Sequence, residues 1–301
     1  MTQARAPAPE QAYRPPSPPM VKRRAGLQAR VKRALRWDTP LPRFPSIVGL
    51  LKRYLRWSRT VTFDVDLRYA VPVRFLRRNW TALGAHLRIL DAGCGPYGLA
   101  SRLEKECVGV DVVHPDTSVA PRISGILRVQ ASITALPFRD GSFDVVTSMD
   151  TIEHLSPSER PAAIRELFRV ASRAIVLGVP FGPKSVRYDR LARTRELACG
   201  QEPGWRREHV MNGLPGSELD ELVYATAAAR GIARLRTRKH ENLGLLKVRW
   251  RIGLALPQFH PAYGLVMVPL YAIAKSLHVG ACYRKVYFAE FASVQGSAER
   301  E

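Results

Sequence analysis

The 301-residue chain is long enough for one large domain with appendages or for two small domains. Hydrophobic residues make up 46% of it, which excludes a wholly disordered protein. The net charge of +21 is uneven, because residues 1–80 hold 18 Lys and Arg against 4 acidic residues and residues 81–180 hold 10 against 11. A basic periphery indicates a polyanionic neighbour, either nucleic acid or an anionic membrane.

The N-terminal region is basic and carries two helical patterns. Residues 1–20 contain six prolines and no apolar signal sequence, which predicts a disordered tail. Residues 21–37 and 46–59 each suit a helix, and the second has one apolar face and one basic face. Such a helix either binds an anionic membrane or packs its apolar stripe on the domain, and both readings stay open.

The chain then alternates between helical segments and short apolar ones. A basic helical extension over 21–86 ends in a helix at 64–83 that we expect to be interrupted near Pro72. The alternation predicts a parallel sheet covered by helices on both faces. We predict strands at 87–90, 107–112, 126–130, 143–148, 174–179, 232–237 and 286–291, with helices at 98–105, 158–171 and 217–231, the last capped by Ser217.

A glycine-rich turn, DAGCGPYG (91–98), follows the first strand. Its glycines let the backbone turn sharply and let a ligand approach the main chain. Asp111 ends the second strand, where a carboxylate can accept hydrogen bonds from two ribose hydroxyls. The pattern predicts an adenosine-containing cofactor. The literal GxGxxG match also fits a dinucleotide, but Asp91 favours a cationic amino-acid moiety over an anionic pyrophosphate.

Three motifs in order resemble a known family. DAGCGPYG, VGVD (108–111) and ALPFRDGSFDVVTSMDTIEHL (135–155) are similar to motifs of the class I S-adenosylmethionine-dependent methyltransferases, in particular the type 11 group. This resemblance implies an α/β, Rossmann-like, mostly parallel seven-stranded sheet whose last strand is antiparallel, with S-adenosyl-L-methionine as the cofactor.

The resemblance also assigns the cofactor contacts. Asp91 would hold the aminoacyl end, the glycine turn would offer backbone contacts, and Asp111 would bind the ribose. Relatives commonly carry an aspartate for the adenine amino group where this chain has Ser132, whose hydroxyl can still accept that hydrogen bond. The full set of expected cofactor residues is Asp91, Gly93, Cys94, Gly95, Asp111, Ser132, Ile133 and Met149.

The end of the fourth strand supplies the candidate catalytic residues. Asp150 and His154 would face the methyl group, and His154 titrates near neutrality, as a general base should. Alternatively, Glu153 and His154 make structural hydrogen bonds at a helix start. Weaker candidates lie further along the chain, at Tyr188, His209 and His240. The four cysteines show no metal-like spacing, so we expect no metal site and a reducing cytoplasm.

Two segments are not needed for the sheet, 180–216 and 240–283, and we expect them to form a helical lid over the acceptor. Within the second, 258–274 is uncharged but too short, and too interrupted by proline, to span a membrane. It would line a pocket for an apolar acceptor, dock on a bilayer or pack in the core. The predicted domains are the tail 1–20, the extension 21–86, a methyltransferase domain 87–294 and a tail 295–301.

These features predict a methyltransferase acting on a small-molecule, lipid-linked or sugar-linked acceptor, with an O-methyl product. We expect it in the cytoplasm, with peripheral contact to the inner membrane face through 21–59. An RNA methyltransferase would suit the charge, but no RNA-binding motif supports it. A non-catalytic membrane-associated scaffold would not need the glycines and both acids, and a dehydrogenase would leave the LPF and SFD segments without a role.

Overall fold

The computed structural model covers one of two compact units of the chain. The units are Met1–Val61 and Thr62–Glu301, and every described residue lies in the second. The structure describes residues 63–83, 86–96, 98–103, 105–113, 125–200, 204–255, 266–267, 270, 273–274 and 277–292. The helices predicted at 21–37 and 46–59 and both predicted tails lie outside these residues.

Helices and strands alternate as predicted. The helices are α1 (Phe63–Leu83), α2 (Ala100–Leu103), α3 (Arg160–Val170), α4 (Pro183–Ala198), α5 (Gly204–Asn212), α6 (Ser217–Ala229) and α7 (Leu243–Ala255). The strands are β1 (Ile89–Ala92), β2 (Cys107–Asp111), β3 (Ile126–Gln130), β4 (Phe143–Met149), β5 (Ala171–Pro180), β6 (Ile232–Asn242) and β7 (Cys282–Phe291). A short 3₁₀ turn, Ile152–His154, follows β4.

The sheet has seven strands in the order β3-β2-β1-β4-β5-β7-β6. The pairs among β1 to β5 are parallel, and β7 is antiparallel to both of its neighbours. The predicted Rossmann-like sheet with an antiparallel last strand is therefore confirmed. Because parallel strands share one carboxyl edge, the ends of β1, β2 and β4 meet at the same side of the sheet.

The core lies on both faces of the sheet, because successive strand side chains point to opposite sides. Leu90 of β1 and its neighbour Val146 of β4 pack in the cluster that includes α3 and α6. Ile89 and Val145, the other neighbouring pair, pack in the cluster that includes α1. All seven residues of β4 are buried, which makes it the central strand from which the site extends.

Helix α1 differs from the prediction, because it continues through Pro72 without a break. The proline lacks the N–H that would bond the carbonyl of Arg68. The adjacent carbonyl of Leu67 accepts a hydrogen bond from His240 Nε2 at 2.7 Å, and the buried face of α1 packs on the sheet. Packing thus offsets the lost bond, and we place the start of the domain at Thr62 rather than at residue 87.

The strands at the lid side are longer than predicted. β5 extends to Pro180, β6 extends to Asn242, and β7 begins at Cys282, so the second lid segment shortens to 243–281. The missed end of β6 begins with the exposed Arg238 and Lys239, because this strand lies at the edge of the sheet, and continues with the buried His240 and Glu241. No helix in the described part of the chain is long and apolar enough to cross a membrane.

The cap predicted for α6 is also wrong. Gly216, not Ser217, is the capping residue, and no side chain caps it from that position. The N–H of Gly216 instead donates to the carboxylate of Glu218 at 2.7 Å. The predicted stop is present, since Gly231 follows the helix with a φ of +63°. An acidic residue in the first turn therefore satisfies the amide of the capping residue.

Candidate active site

The glycine turn after β1 is shaped by two glycines with different requirements. The amides of Gly93 and Cys94 both donate to the carbonyl of Val110, at 2.7 and 3.0 Å, which ties the turn to β2. Gly93 has a φ of +76°, and a Cβ there would lie 2.1 Å from Thr151 Oγ1. Gly95 has a φ of +56°, and among the described residues nothing lies within 4 Å of the position of its Cβ. Gly95 thus borders the open space that a ligand needs.

Asp111 stands beside this space at the end of β2. Its Oδ2 accepts the amide of Gly95 at 2.8 Å, and its Oδ1 accepts the amide of Val113 at 3.4 Å. Each carboxylate oxygen has two lone pairs, so acceptor capacity remains for a pair of hydroxyls. Arg128 of β3, which the sequence analysis missed, donates to the carbonyls of Gly95 and Pro96 at 3.1 and 2.7 Å. In the sequence, the only indication of this role is that Arg128 is a single charged residue inside the apolar segment ILRVQ.

Asp91 is fully buried and is already occupied by protein donors. Its Oδ2 accepts the Tyr69 hydroxyl at 3.0 Å and the Leu99 amide at 2.7 Å, and its Oδ1 accepts the Thr147 hydroxyl at 2.9 Å. Burial raises the pKa of Asp91 to about 6, against the lowering effect of these hydrogen bonds. The carboxylate is therefore ionised at neutral pH.

The other residues expected at the cofactor are less open to a ligand. Burial, followed by the neighbouring aspartates, raises the pKa of the Cys94 thiol, so it fills space in the turn rather than reacting. Ser132 Oγ lies 2.7 Å from Thr134 Oγ1 and accepts the Thr134 amide at 3.2 Å, which engages it in a local turn. Ile133 and Met149 are buried in the core, so their backbones are the groups that they can offer.

Asp150 follows β4 in a left-handed conformation, with a φ of +53°. Arg284 Nε of β7 donates to both of its oxygens, at 2.7 and 3.0 Å, and Arg68 Nε of α1 lies 3.1 Å from Oδ2. Arg284 also donates to Glu241, which is buried at the end of β6 with a φ of +60°. Asp150, which was predicted to be catalytic, is thus a carboxylate held by two guanidinium groups. The histidines nearby are therefore better proton acceptors.

A second cluster forms where α5 packs against the 3₁₀ turn. His154 Nε2 and His209 Nε2 lie 3.4 Å apart, and Glu153 Oε1 lies 3.7 Å from His209 Nε2. The other nitrogens of the two rings face carboxylates, with His154 Nδ1 at 2.6 Å from Glu208 and His209 Nδ1 at 2.9 Å from Asp189. Burial, then His209, lowers the pKa of His154, whereas burial, then Asp150, raises the pKa of Glu153. His154 is thus a neutral imidazole at physiological pH.

Buried ion pairs join helices α4 and α5, which lie in the first segment predicted to form a lid. Arg206 Nη1 of α5 donates to Asp189 at 2.8 Å, and its Nε lies 2.7 Å from Glu196, both on α4. Tyr188, a weaker candidate, is buried here, and burial raises the pKa of its hydroxyl. His240 is also buried, and its burial, with Arg284, lowers its pKa to about 3. The burial of Tyr188 and His240 is consistent with packing roles, whereas His209 belongs to the cluster with Glu153 and His154.

Comparison with known proteins identifies the family. The family model for a methyltransferase domain matches residues 90–174. The demethylmenaquinone methyltransferase of Thermus thermophilus is 33% identical over 150 residues, which cover 44% of this chain and 63% of that protein. An uncharacterized methyltransferase of Mycolicibacterium gilvum is 30% identical over 200 residues, which cover 61% of this chain and 71% of that protein. The chain belongs to this methyltransferase family.

Among solved structures, the YcgJ protein of Bacillus subtilis aligns with 73% of this methyltransferase and 99% of its own chain, at 18% identity and a TM-score of 0.42. The protein is a class I S-adenosylmethionine-dependent methyltransferase, and S-adenosylmethionine is its cofactor. The residues present fit that cofactor, because a Cβ at Gly95 would enter the open space and Asp111 keeps acceptor capacity beside it.

Proposed function

We propose that this methyltransferase methylates an oxygen atom of a small-molecule, lipid-linked or sugar-linked acceptor. The observation that carries the proposal is the cluster of proton acceptors at the end of β4, formed by Glu153, His154 and His209. A hydroxyl must lose its proton as its oxygen gains a methyl group, so a site for O-methylation needs an acceptor for that proton.

The chain's own residues then have separate roles. The bound cofactor supplies the methyl group from its sulfonium. The Gly95 backbone and Asp111 hold its adenosine part, and the charge of Asp91 favours its ammonium group. His154 takes the acceptor's proton at Nε2, since its Nδ1 faces Glu208. Alignment of the acceptor behind the methyl group supplies most of the remaining rate enhancement.

A small, mostly apolar cavity of about 10 Å³ lies beside the proposed site. Its lining is mostly aliphatic and comes from α1, α7 and the segment after α7, namely Leu67, Leu245, Leu246, Met267, Leu270 and Ala274, with Glu241 and Arg249 as polar members. Glu241 joins this cavity to the end of β4 through Arg284 and Asp150. The cavity holds about one water molecule, so a partly apolar acceptor would bind here only if the segments that line it moved apart. The proposed contact of 21–59 with an anionic membrane would bring a lipid-linked acceptor close, and it would hold the protein at the inner membrane face.

The proposal is tested by acceptor screening with the full chain. Purified protein is given S-adenosylmethionine and pairs of acceptors that differ only in a free or a methyl-capped hydroxyl, and S-adenosylhomocysteine is measured. We expect turnover with the free hydroxyl alone and a product that has gained one methyl group on oxygen. His154→Gln should lower kcat and remove its dependence on pH, while Glu221→Gln, on the exposed face of α6, should not. Equal turnover of capped acceptors, or turnover on RNA alone, would contradict the proposal.

A further inference from the structure

The cluster at the end of β4 brings together one carboxyl group and two imidazole rings, each of which can offer a lone pair to a ligand. We propose that Glu153, His154 and His209 bind a divalent transition-metal ion. Their ligand atoms all lie within 4.8 Å of one another. The three residues come from two separate parts of the chain, the 3₁₀ turn and helix α5, and packing of the lid on that turn brings them together.

The hydrogen bonds of the two rings set the direction of their lone pairs. An ionised carboxylate only accepts hydrogen bonds, so the Nδ1 atoms that face Glu208 and Asp189 must be the protonated ones. In a neutral imidazole the other nitrogen, Nε2, is then an acceptor. The two Nε2 atoms face each other at 3.4 Å, so two lone pairs converge with no hydrogen to share. A cation between them would satisfy both.

Glu153 supplies the second, independent observation. Its side chain is 0% exposed, and neither of its oxygens has a hydrogen-bond partner among the described residues. A buried carboxyl group without partners costs free energy unless something satisfies it. Its Oε1 is directed to the histidine pair, at 3.7 Å from His209 Nε2. A bound cation would therefore also satisfy this buried acid, which has no hydrogen bond within the described part of the chain.

Two of the three ligand separations are close to those around a tetrahedral ion, whereas the third, between His154 and Glu153, is up to 4.8 Å and must shorten when the ion binds. Ligands at about 2.0–2.1 Å from a tetrahedral zinc ion lie about 3.3–3.4 Å apart. The distance between His154 Nε2 and His209 Nε2 is 3.4 Å, and the distance from His209 Nε2 to Glu153 Oε1 is 3.7 Å. Two imidazoles and one carboxylate favour zinc, iron, cobalt or manganese over magnesium and calcium, which prefer oxygen. Three protein ligands leave a position open for a hydroxyl or water.

The surroundings have the features of a metal site. Metal-bound histidines usually donate their second N–H to a carboxylate or carbonyl, which orients the ring. Both rings do so here, to Glu208 and to Asp189, and Asp189 is itself held by Arg206 and by the Tyr283 hydroxyl. The His154 and Glu208 side chains are 28% and 55% exposed, so an ion can enter from the solvent side.

Metal binding does not depend on the acceptor, but its catalytic use rests on the proposed function. With the ion bound, His154 Nε2 would be a metal ligand and would no longer be the proton acceptor. An acceptor hydroxyl at the open position would then be polarised by the ion and would release its proton to water. Removing the ion would then lower kcat for hydroxyl acceptors and leave binding of S-adenosylmethionine unchanged. A chain that binds the ion without methylating any hydroxyl would overturn the proposed function and leave the metal site standing.

The test is a titration of the full chain, stripped with EDTA, with Co²⁺, followed by its visible absorption and by competition with Zn²⁺. We expect one equivalent of Co²⁺ with the absorption of a tetrahedral site, displaced by Zn²⁺. His209→Ala removes a ligand and should lower the Co²⁺ affinity by more than the about 10–100-fold that is expected when a carboxylate hydrogen-bonded to a ligand is lost. Glu208→Gln, a change on an exposed side chain that leaves the fold intact, should weaken binding about 10-fold, and Glu221→Gln should not change it.

Two results would overturn the inference. One is the absence of a stoichiometric Co²⁺ complex in the folded protein, with folding verified by circular dichroism. The other is a complex whose affinity is the same in Glu208→Gln, Glu153→Gln and the wild type, since the ion would then lie elsewhere. Glu208→Gln changes neither a ligand nor a buried group, so this variant should fold. It therefore still tests metal binding if His209→Ala does not fold.

Discussion

Replacing Gly93 by alanine should destabilise the protein far more than the same change at Gly95. At both positions the left-handed conformation costs an L-residue about 1–2 kcal/mol. At Gly93 the new Cβ would also lie 2.1, 2.3 and 2.7 Å from three side-chain atoms of Thr151, and such overpacking adds about 1–3 kcal/mol. At Gly95 no described atom lies within 4 Å, so the second cost is missing.

The measurement is urea unfolding of the two variants and the wild type. Gly93→Ala should lose about 2–5 kcal/mol of unfolding free energy and Gly95→Ala about 1–2 kcal/mol. Adding Thr151→Gly to Gly93→Ala should recover the steric part of the loss. Gly95→Ala should instead weaken S-adenosylmethionine binding, because its methyl group enters the open space. Equal losses at the two glycines, or no recovery in the double variant, would refute the packing of the turn.

Three further changes test the buried charges. The pKa of Asp91 is raised from 3.8 to about 6, so protonation of this group stabilises the fold below pH 4, and that contribution, about 3 kcal/mol, is lost as the pH rises through 6. Asp91→Asn should remove this pH dependence, measured as the difference in urea unfolding between variant and wild type from pH 4 to 7. Tyr69→Phe removes one of the donors to the same carboxylate and should cost about 1–3 kcal/mol of unfolding free energy. The cost should be larger at pH 7.5 than at pH 4, and an equal cost at the two pH values would contradict the assignment. Arg206→Lys cannot bridge Asp189 and Glu196 together and should cost about 1.5–3 kcal/mol by thermal or urea unfolding, whereas an unchanged midpoint would show that the bridge is dispensable.

The sheet could be predicted from the sequence because its central strands are short apolar runs bounded by turns. β4 is buried along its whole length, and its apolar letters are visible without a structure. The end of β6 was missed because an edge strand can carry charge on most of its residues, as Arg236 to Lys239 do. The path of α1 through Pro72 was missed because tertiary packing, which the local pattern does not show, outweighs one lost hydrogen bond.

The site was predictable only where its residues are neighbours in the sequence. The glycine turn and Asp111 lie within one βαβ unit, so their spacing carries the information. His154 and His209 are 55 residues apart, and they meet only because α5 packs on the 3₁₀ turn. Arg284 is 134 residues from Asp150, and its role depends on β7 lying next to β5. Contacts of this kind need the fold before they can be inferred.

The central claim is that the turn after β1 and Asp111 bind S-adenosylmethionine, and calorimetric titration of the full chain tests it most directly. S-adenosylmethionine, S-adenosylhomocysteine and NADH would be titrated into the wild type, Asp111→Ala and the control Asp140→Ala, whose carboxylate is exposed. We expect the first two ligands to bind the wild type and the control and Asp111→Ala to lose this binding. Binding of NADH alone, or S-adenosylmethionine affinity that is equal in all three proteins, would contradict it.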